Sequence, residues 1–136
     1  MSDFARSVTI DISDSSAGDL IVNYATLTGG QWKQQPQAGS VINPGNQVEY
    51  VNGVPDAYSK LGGKIALTPA SGGLIEIEWD WPFGSGSSGT VKGNSLNGLS
   101  VSSQWINQQS TTPTFQVTVS NANTAQLIRK NAAATA

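Results

Sequence analysis

The sequence predicts an all-β chain folded as a single-domain antiparallel β-sandwich, on three observations. Apolar residues alternate with polar ones at period two along most of the chain. Clusters of Gly, Asn, Pro and Ser interrupt the alternation at short intervals, as they do between the strands of sandwiches and barrels. Helical spacing of apolar residues is almost absent.

The first run sets Val8, Ile10 and Ile12 against Ser7, Thr9 and Asp11, and closes at Asp14-Ser-Ser-Ala-Gly18. Leu20, Val22 and Tyr24 share one face of the second run, which reaches Gly29-Gly30. Asn43-Pro-Gly-Asn46 precedes a third run marked by Val48 and Tyr50, with a turn signal at Asn52-Gly53. Ile65 and Leu67 mark a fourth run between the turn signals Gly62-Gly63 and Ser71-Gly-Gly73. In the fifth, Ile75, Ile77, Trp79 and Trp81 line one face while Glu76, Glu78 and Asp80 line the other. Leu99, Val101, Ser103 and Trp105 follow Asn97-Gly98, and Phe115, Val117 and Val119 close the series. Such half-apolar strands suit antiparallel sheets packed on one face. Residues 1–136 read as one domain without linker or repeat, and residues 121–136 as a C-terminal extension that is a last strand or short helix followed by a frayed tail.

Composition narrows the chemistry. A chain of 136 residues buries roughly 65–70% of its unfolded surface, enough for a core without staples. It has no cysteine, which removes disulfides and thiolate chemistry, and no histidine, the commonest general base and metal ligand. Charged residues are 12% of the chain, the net charge is −2, and the seven basic residues are scattered, so no basic patch for nucleic acid forms. No apolar run approaches the ~20 residues of a membrane span, and the first residues lack the features of a secretory signal. The expectation is synthesis in a cytosol, followed by action at a membrane surface after release.

Two motifs invite enzymatic readings. Gly84-Ser-Gly86-Ser-Ser-Gly89 matches the dinucleotide pattern G-x-G-x-x-G, but an alternating strand follows it where a helix is needed, and no acidic residue occurs after Asp80. It reads as a flexible loop. Glu76, Glu78 and Asp80 form a row of carboxylates spaced about 6.6–7 Å along one strand face. That spacing falls in the ~6.5–9.5 Å range of inverting glycosidases, and the run resembles the acidic strand of jelly-roll glucanases. Its third acid is differently spaced, and the chain is short for a cleft. A solvated strand face is the simpler reading, and no loop pattern supports a Ca²⁺ site. The expectation is therefore a non-enzyme with no cofactor and no metal.

The aromatics remain. Trp79-Asp-Trp-Pro-Phe-Gly84 places two of four tryptophans within three positions. Trp79 falls on the apolar strand face and reads as core. Pro82 cannot donate to a strand ladder, so Trp81 and Phe83 are expected exposed at a strand end, where aromatics suit lipid headgroups or sugar rings. Trp32 and Lys33, after Gly29-Gly30, fit the same logic, and Tyr50 and Tyr58 are weaker candidates.

Over roughly residues 5–120 the chain resembles the aegerolysin family, small acidic β-sandwich proteins of fungi and bacteria. The landmarks are Val8-Thr-Ile-Asp-Ile12 with Asp14, Leu27-Thr-Gly-Gly-Gln-Trp32-Lys33, Ile42-Asn-Pro-Gly45 with Val48 and Tyr50, Gly63-Lys-Ile65, and above all Trp79-Asp-Trp-Pro-Phe-Gly-Ser85. Fungal members typically carry Trp-Asp-Cys-Pro-Trp-Gly there, so Trp81 stands in place of Cys and Phe83 in place of Trp. The 29–33 run is closer to bacterial members, the small components of two-protein insecticidal toxins. The resemblance implies a protein that recognises a membrane lipid, often a sphingolipid, and recruits a larger pore-forming partner of perforin-like or other β-toxin type. The lipid-site positions it implies are Trp32, Trp79, Asp80, Trp81 and Phe83, with Lys33 adjoining. Rival expectations are a glycan-binding module using the same aromatics and a small glycanase using Glu76 and Glu78. Low charge and polar strand faces also allow a homodimer through sheet edges.

Overall fold

The computed structural model describes residues 4–122, and the C-terminal extension beyond residue 122 lies outside the described residues. Ten strands form two five-stranded sheets. In chain order they are β1 (Arg6–Ser15), β2 (Leu20–Gly29), β3 (Gln31–Trp32), β4 (Val41–Ile42), β5 (Gln47–Val54), β6 (Leu61–Pro69), β7 (Leu74–Trp81), β8 (Ser88–Asn94), β9 (Leu99–Ile106) and β10 (Thr114–Asn121). The first sheet runs β3-β5-β1-β10-β9 and the second β4-β2-β6-β7-β8. The all-β sandwich is thus the observed fold.

All pairings are antiparallel except β1 with β10, which run parallel from Thr9 opposite Thr114 to Ser15 opposite Ser120. Parallel neighbours need a long crossover. Here the crossover is nearly the whole chain, so the first and last long strands close the first sheet side by side.

The period-two residues make the core. Val8, Ile10 and Ile12 of β1 and Phe115, Val117 and Val119 of β10 face Leu61, Ile65, Leu67, Ile75 and Ile77 of the second sheet, all at most 1% exposed. Burying a side chain of this size contributes about 1.5–3 kcal/mol.

The structure corrects the face of Tyr24, which a bulge between Val22 and Tyr24 turns outward, away from Leu20 and Val22, and it corrects two turn signals. Asn52-Gly53 lies inside β5, and Gly62-Gly63 inside β6. Locally these doublets have turn chemistry, but each answers a tertiary contact. The Phe4 ring packs on Gly53, and a Cβ on Gly63 would stand 2.7 Å from the Trp79 indole. The Gly84–Gly89 loop is also shorter than expected: Ser88 and Gly89 belong to β8, and Gly89 lies against the Phe115 ring, where a Cβ would be 2.8 Å away.

Candidate functional site

One pole of the sandwich gathers the N-terminal approach and the connections at 29–30, 55–60, 82–87 and 107–113. The strand registers put them there: Arg6 pairs with Val54, Ile106 with Thr114, Gly29 with Gly62 and Leu61 with Trp81. Contacts between loops tie the pole together. Gln108 Nε2 donates to the Ser87 carbonyl at 2.8 Å, and the Arg6 guanidinium donates to the Ser59 carbonyl. That guanidinium also lies 4.5 Å from the centre of the Trp81 ring, a cation–π contact of about 0.5–2 kcal/mol.

Beneath the pole, the core is keyed by Asn52, which is fully buried. Its Oδ1 accepts from the Trp79 Nε1–H and the Gly62 N–H, both at 3.0 Å. Its Nδ2 donates to the carbonyls of Gly29 at 3.0 Å and Gln31 at 3.3 Å. One amide thus joins both sheets through β5, β6, β7 and the β2–β3 turn, with both donors and both acceptor positions used. Gly30, at φ +75°, leaves room for it, since a Cβ there would approach Asn52 Nδ2 to 2.7 Å.

Trp32 is half-buried beside this amide. Its ring meets Trp79 edge-on at 5.9 Å and 63°, and Tyr50 at 6.5 Å and 73°, within the favoured range for aromatic pairs. Burial raises the Tyr50 hydroxyl above its ordinary pKa of 10.0.

Above this base, two turns present aromatic side chains to solvent. Pro82–Ser85 is closed by the Ser85 N–H donating to the Pro82 carbonyl at 3.4 Å, with Gly84 at φ +81° in the third position that a type II turn reserves for glycine. The Trp81 Nε1–H donates to the Ser85 carbonyl at 3.1 Å and pins the turn from below. Phe83, at its second position, is 68% exposed. In the other turn, Asp56 Oδ1 accepts from the N–H groups of Tyr58 at 3.0 Å and Ser59 at 2.6 Å, and Oδ2 from the Ser59 hydroxyl at 2.8 Å. These bonds hold the Asp56 pKa below its ordinary 3.8, and Tyr58 stands outward at 67% exposure. Ile106, where β9 ends, is the third exposed apolar side chain at this pole.

The predicted site residues therefore separate. Trp32 and Trp79 are brought together, but Trp79 is core, at 3% exposure. Trp81 is expected exposed and is not: at 8% exposure it keeps the inward phase of β7, which Pro82 ends one residue later. Asp80 sits on the outer face of the second sheet, 3.5 Å from Lys60 Nζ. Lys33 is exposed just past the edge strand β3, its N–H donating to the Val51 carbonyl at 2.9 Å. Phe83 alone among them is an exposed aromatic at the pole. Asn52 and Arg6 escape sequence reasoning: Asn52 is read as half of a turn, and nothing local distinguishes Arg6.

The carboxylate row is an ion-paired strand face. Lys64 Nζ lies 2.5 Å from Glu76 and 3.8 Å from Glu78. The bond from Lys64, aided by Lys92 and Asn94, lowers the Glu76 pKa below its ordinary 4.5, and its partner raises that of Lys64. A glycosidase acid requires the opposite shift. Among the described residues no helix is long and apolar enough to cross a membrane, and no group of three or more His, Cys, Asp or Glu side chains is arranged for a metal ion.

Fold and pole together define a two-sheet β-sandwich whose apolar side chains stand on pinned turns at one end. Solved structures share this fold. The crystal structure of IP-1A from Alcaligenes faecalis matches with a TM-score of 0.70 at 18% identity, over 87% of this chain and 92% of that one. The lipid-binding protein Nakanori matches with a TM-score of 0.73 at 12% identity, over 88% of this chain and 73% of that one. No family model matches the sequence, and no curated protein does.

Proposed function

We propose that the chain is a non-enzymatic membrane-lipid recognition protein that meets the bilayer with the pole carrying Tyr58, Phe83 and Ile106. The observation that carries this reading is their placement: of the five exposed large hydrophobics among the described residues, three stand at one pole. Exposed apolar groups gathered on one surface mark contact sites, and amphipathic aromatics suit the headgroup layer. The hydrogen bonds accepted by Asp56 and donated by Trp81 hold two of the tips in place before contact, which lowers the entropy lost on binding. Trp32 and Lys33 flank the pole and belong to the same contact; Trp79, Trp81 and Asp80 serve it as support. The lipid-binding activity of a protein with the same fold supports this reading.

The finer reading follows the aegerolysin resemblance. The protein is the targeting subunit of a two-component, insecticidal pore-forming toxin, which binds a sphingolipid-type target and recruits a larger pore-forming protein after release from the producing cell. Flotation with vesicles of varied lipid composition, sphingolipid included, tests the binding step. Phe83→Ala and Tyr58→Ala are each expected to weaken vesicle binding about tenfold or more, the equivalent of losing one buried aromatic side chain, with folding unchanged. If the wild-type chain floats with no vesicle, lipid recognition fails as a reading. Dye release on adding a larger pore-forming protein to vesicles, with and without this chain, tests recruitment.

A further inference from the structure

The outer face of the second sheet adjoins the pole at Lys60 and Asp80 but is otherwise separate from it, and we propose that it binds a neutral oligosaccharide. The face is built by Tyr24, Thr26 and Thr28 from the β2 side, Lys64 from β6, and Glu76, Glu78 and Asp80 from β7, with Lys60 at the start of β6. A groove of about 440 Å³ lies on it, lined by the polar side chains of Thr26, Thr28, Lys60, Lys64, Glu78 and Asp80 and also by Gly63 and Trp79. On the far side of β7 a smaller depression of about 220 Å³ continues it, bounded by Glu78, Asp80, Ser88 and Thr90.

Thr28 and Asp80 come close together at one end of the groove because Gly62 between them has no side chain. A Cβ there would stand 2.5 Å from Thr28 Oγ1 and 3.2 Å from Asp80 Oδ1, so a hydroxyl and a carboxylate converge over bare backbone. The charges are arranged and held. Lys60 lies 3.5 Å from Asp80, and Lys64 lies 2.5 Å from Glu76 and 3.8 Å from Glu78, while Lys92 stands opposite Glu76 in register. Lys60, Lys64 and Lys92 thus balance Glu76, Glu78 and Asp80, leaving the face without net charge.

This balance selects the occupant. Phosphate or nucleic acid needs uncompensated cations, and a basic peptide needs uncompensated carboxylates. An acyl chain or amphipathic helix needs a continuous apolar groove, whereas here the small apolar area at Gly63 and Trp79 is surrounded by Lys60, Lys64, Glu78 and Asp80. What remains complementary is a neutral molecule that donates and accepts many hydrogen bonds. Donors and acceptors here repeat at about 4.8 Å between strands and about 7 Å along them, a grid suited to the hydroxyls of linked pyranoses. Tyr24, 38% exposed, stands on the same face beside the groove, two residues before Thr26, and offers ring surface to a sugar that extends past the groove's edge, with Lys64 Nζ 5.9 Å from its ring centre.

The experiment is an array of immobilised neutral oligosaccharides based on glucose, galactose, mannose and N-acetylglucosamine, with calorimetric titration of each hit in solution. Tyr24→Ala and Glu78→Gln are expected to weaken that binding about tenfold, with near-ultraviolet circular dichroism and phospholipid-vesicle flotation unchanged. Phe83→Ala is expected to do the reverse, sparing the glycan and losing the vesicle. The proposal is overturned if the wild-type chain holds no neutral glycan, or if both sheet-face variants bind as tightly as wild type. It is equally overturned if sedimentation finds a dimer that Tyr24→Ala dissolves, because the face then belongs to a second copy. None of these outcomes depends on vesicle binding, so failure here leaves the reading of the pole to its own test.

Discussion

Asn52 shows how much of this fold hangs on one short side chain. Replacing it with Ala removes one acceptor serving two N–H groups and two donors serving two carbonyls, in a place water does not reach. Each stranded group costs about 1–3 kcal/mol, although relaxation relieves part of the sum. Asn52→Ala is therefore expected to lower unfolding free energy by about 3 kcal/mol or more in urea titration, with a red-shifted tryptophan emission as Trp79 loses its partner. Trp81 belongs to the same supporting layer. Its truncation removes a buried ring, the stack under Arg6 and the bond to Ser85 together. Loss of membrane binding in Trp81→Ala would thus report a weakened turn, whereas Phe83→Ala removes only an exposed tip.

Among the elements, β7 was the most legible. Its alternation assigns Ile75, Ile77 and Trp79 to the core and Glu76, Glu78 and Asp80 to solvent, and the structure agrees residue by residue. The same alternation also places Trp81 inward, but the neighbouring proline argues locally for a strand end, and the inward phase prevailed because Leu61 pairs opposite it. Asn52-Gly53 and Gly62-Gly63 were illegible for a related reason. A glycine that admits a neighbouring ring and a glycine that turns the chain have the same identity, and only the partner strand tells them apart. The candidate site divides in the same way. Phe83 followed by Gly84 is readable as a turn tip, whereas Ile106, Arg6 and Asn52 acquire their roles from residues distant in sequence. Gly89 gives a test at this scale. Gly89→Ala places a methyl group against Phe115 and is expected to destabilise by about 1–3 kcal/mol, visible as a lower thermal midpoint, although Gly89 adjoins a flexible-looking sequence.

For the whole molecule, sparse and paired charge sets the response to pH. Glu76 and Asp56 both have folded pKa values below their ordinary 4.5 and 3.8. Depressed carboxylates contribute stability that is present above the unfolded pKa and lost as pH falls through the folded one. Lys64 is raised above its ordinary 10.5, so its contribution is intact below that value and fades only in stronger alkali. With no histidine to titrate between, the thermal midpoint is expected to stay nearly level from about pH 6 to 9 and to fall below about pH 4.5. All three groups face solvent, so the acid loss is modest. A midpoint that moved steeply between pH 6 and 8 would contradict this account.

The parallel pairing of β1 and β10 has a practical consequence for anyone attaching something to the protein. Strands that run the same way begin at the same end: Arg6 starts at the apolar pole, and β10 carries the chain through eight residues, about 26 Å, to Asn121 at the other. A bulky group attached at Phe4 is therefore held at the end of the molecule that carries the exposed Tyr58 and Phe83 side chains. Asn121, where β10 ends, lies at the far end from those side chains, so a bulky group attached at Phe4 and one attached at Asn121 are expected to affect vesicle binding differently.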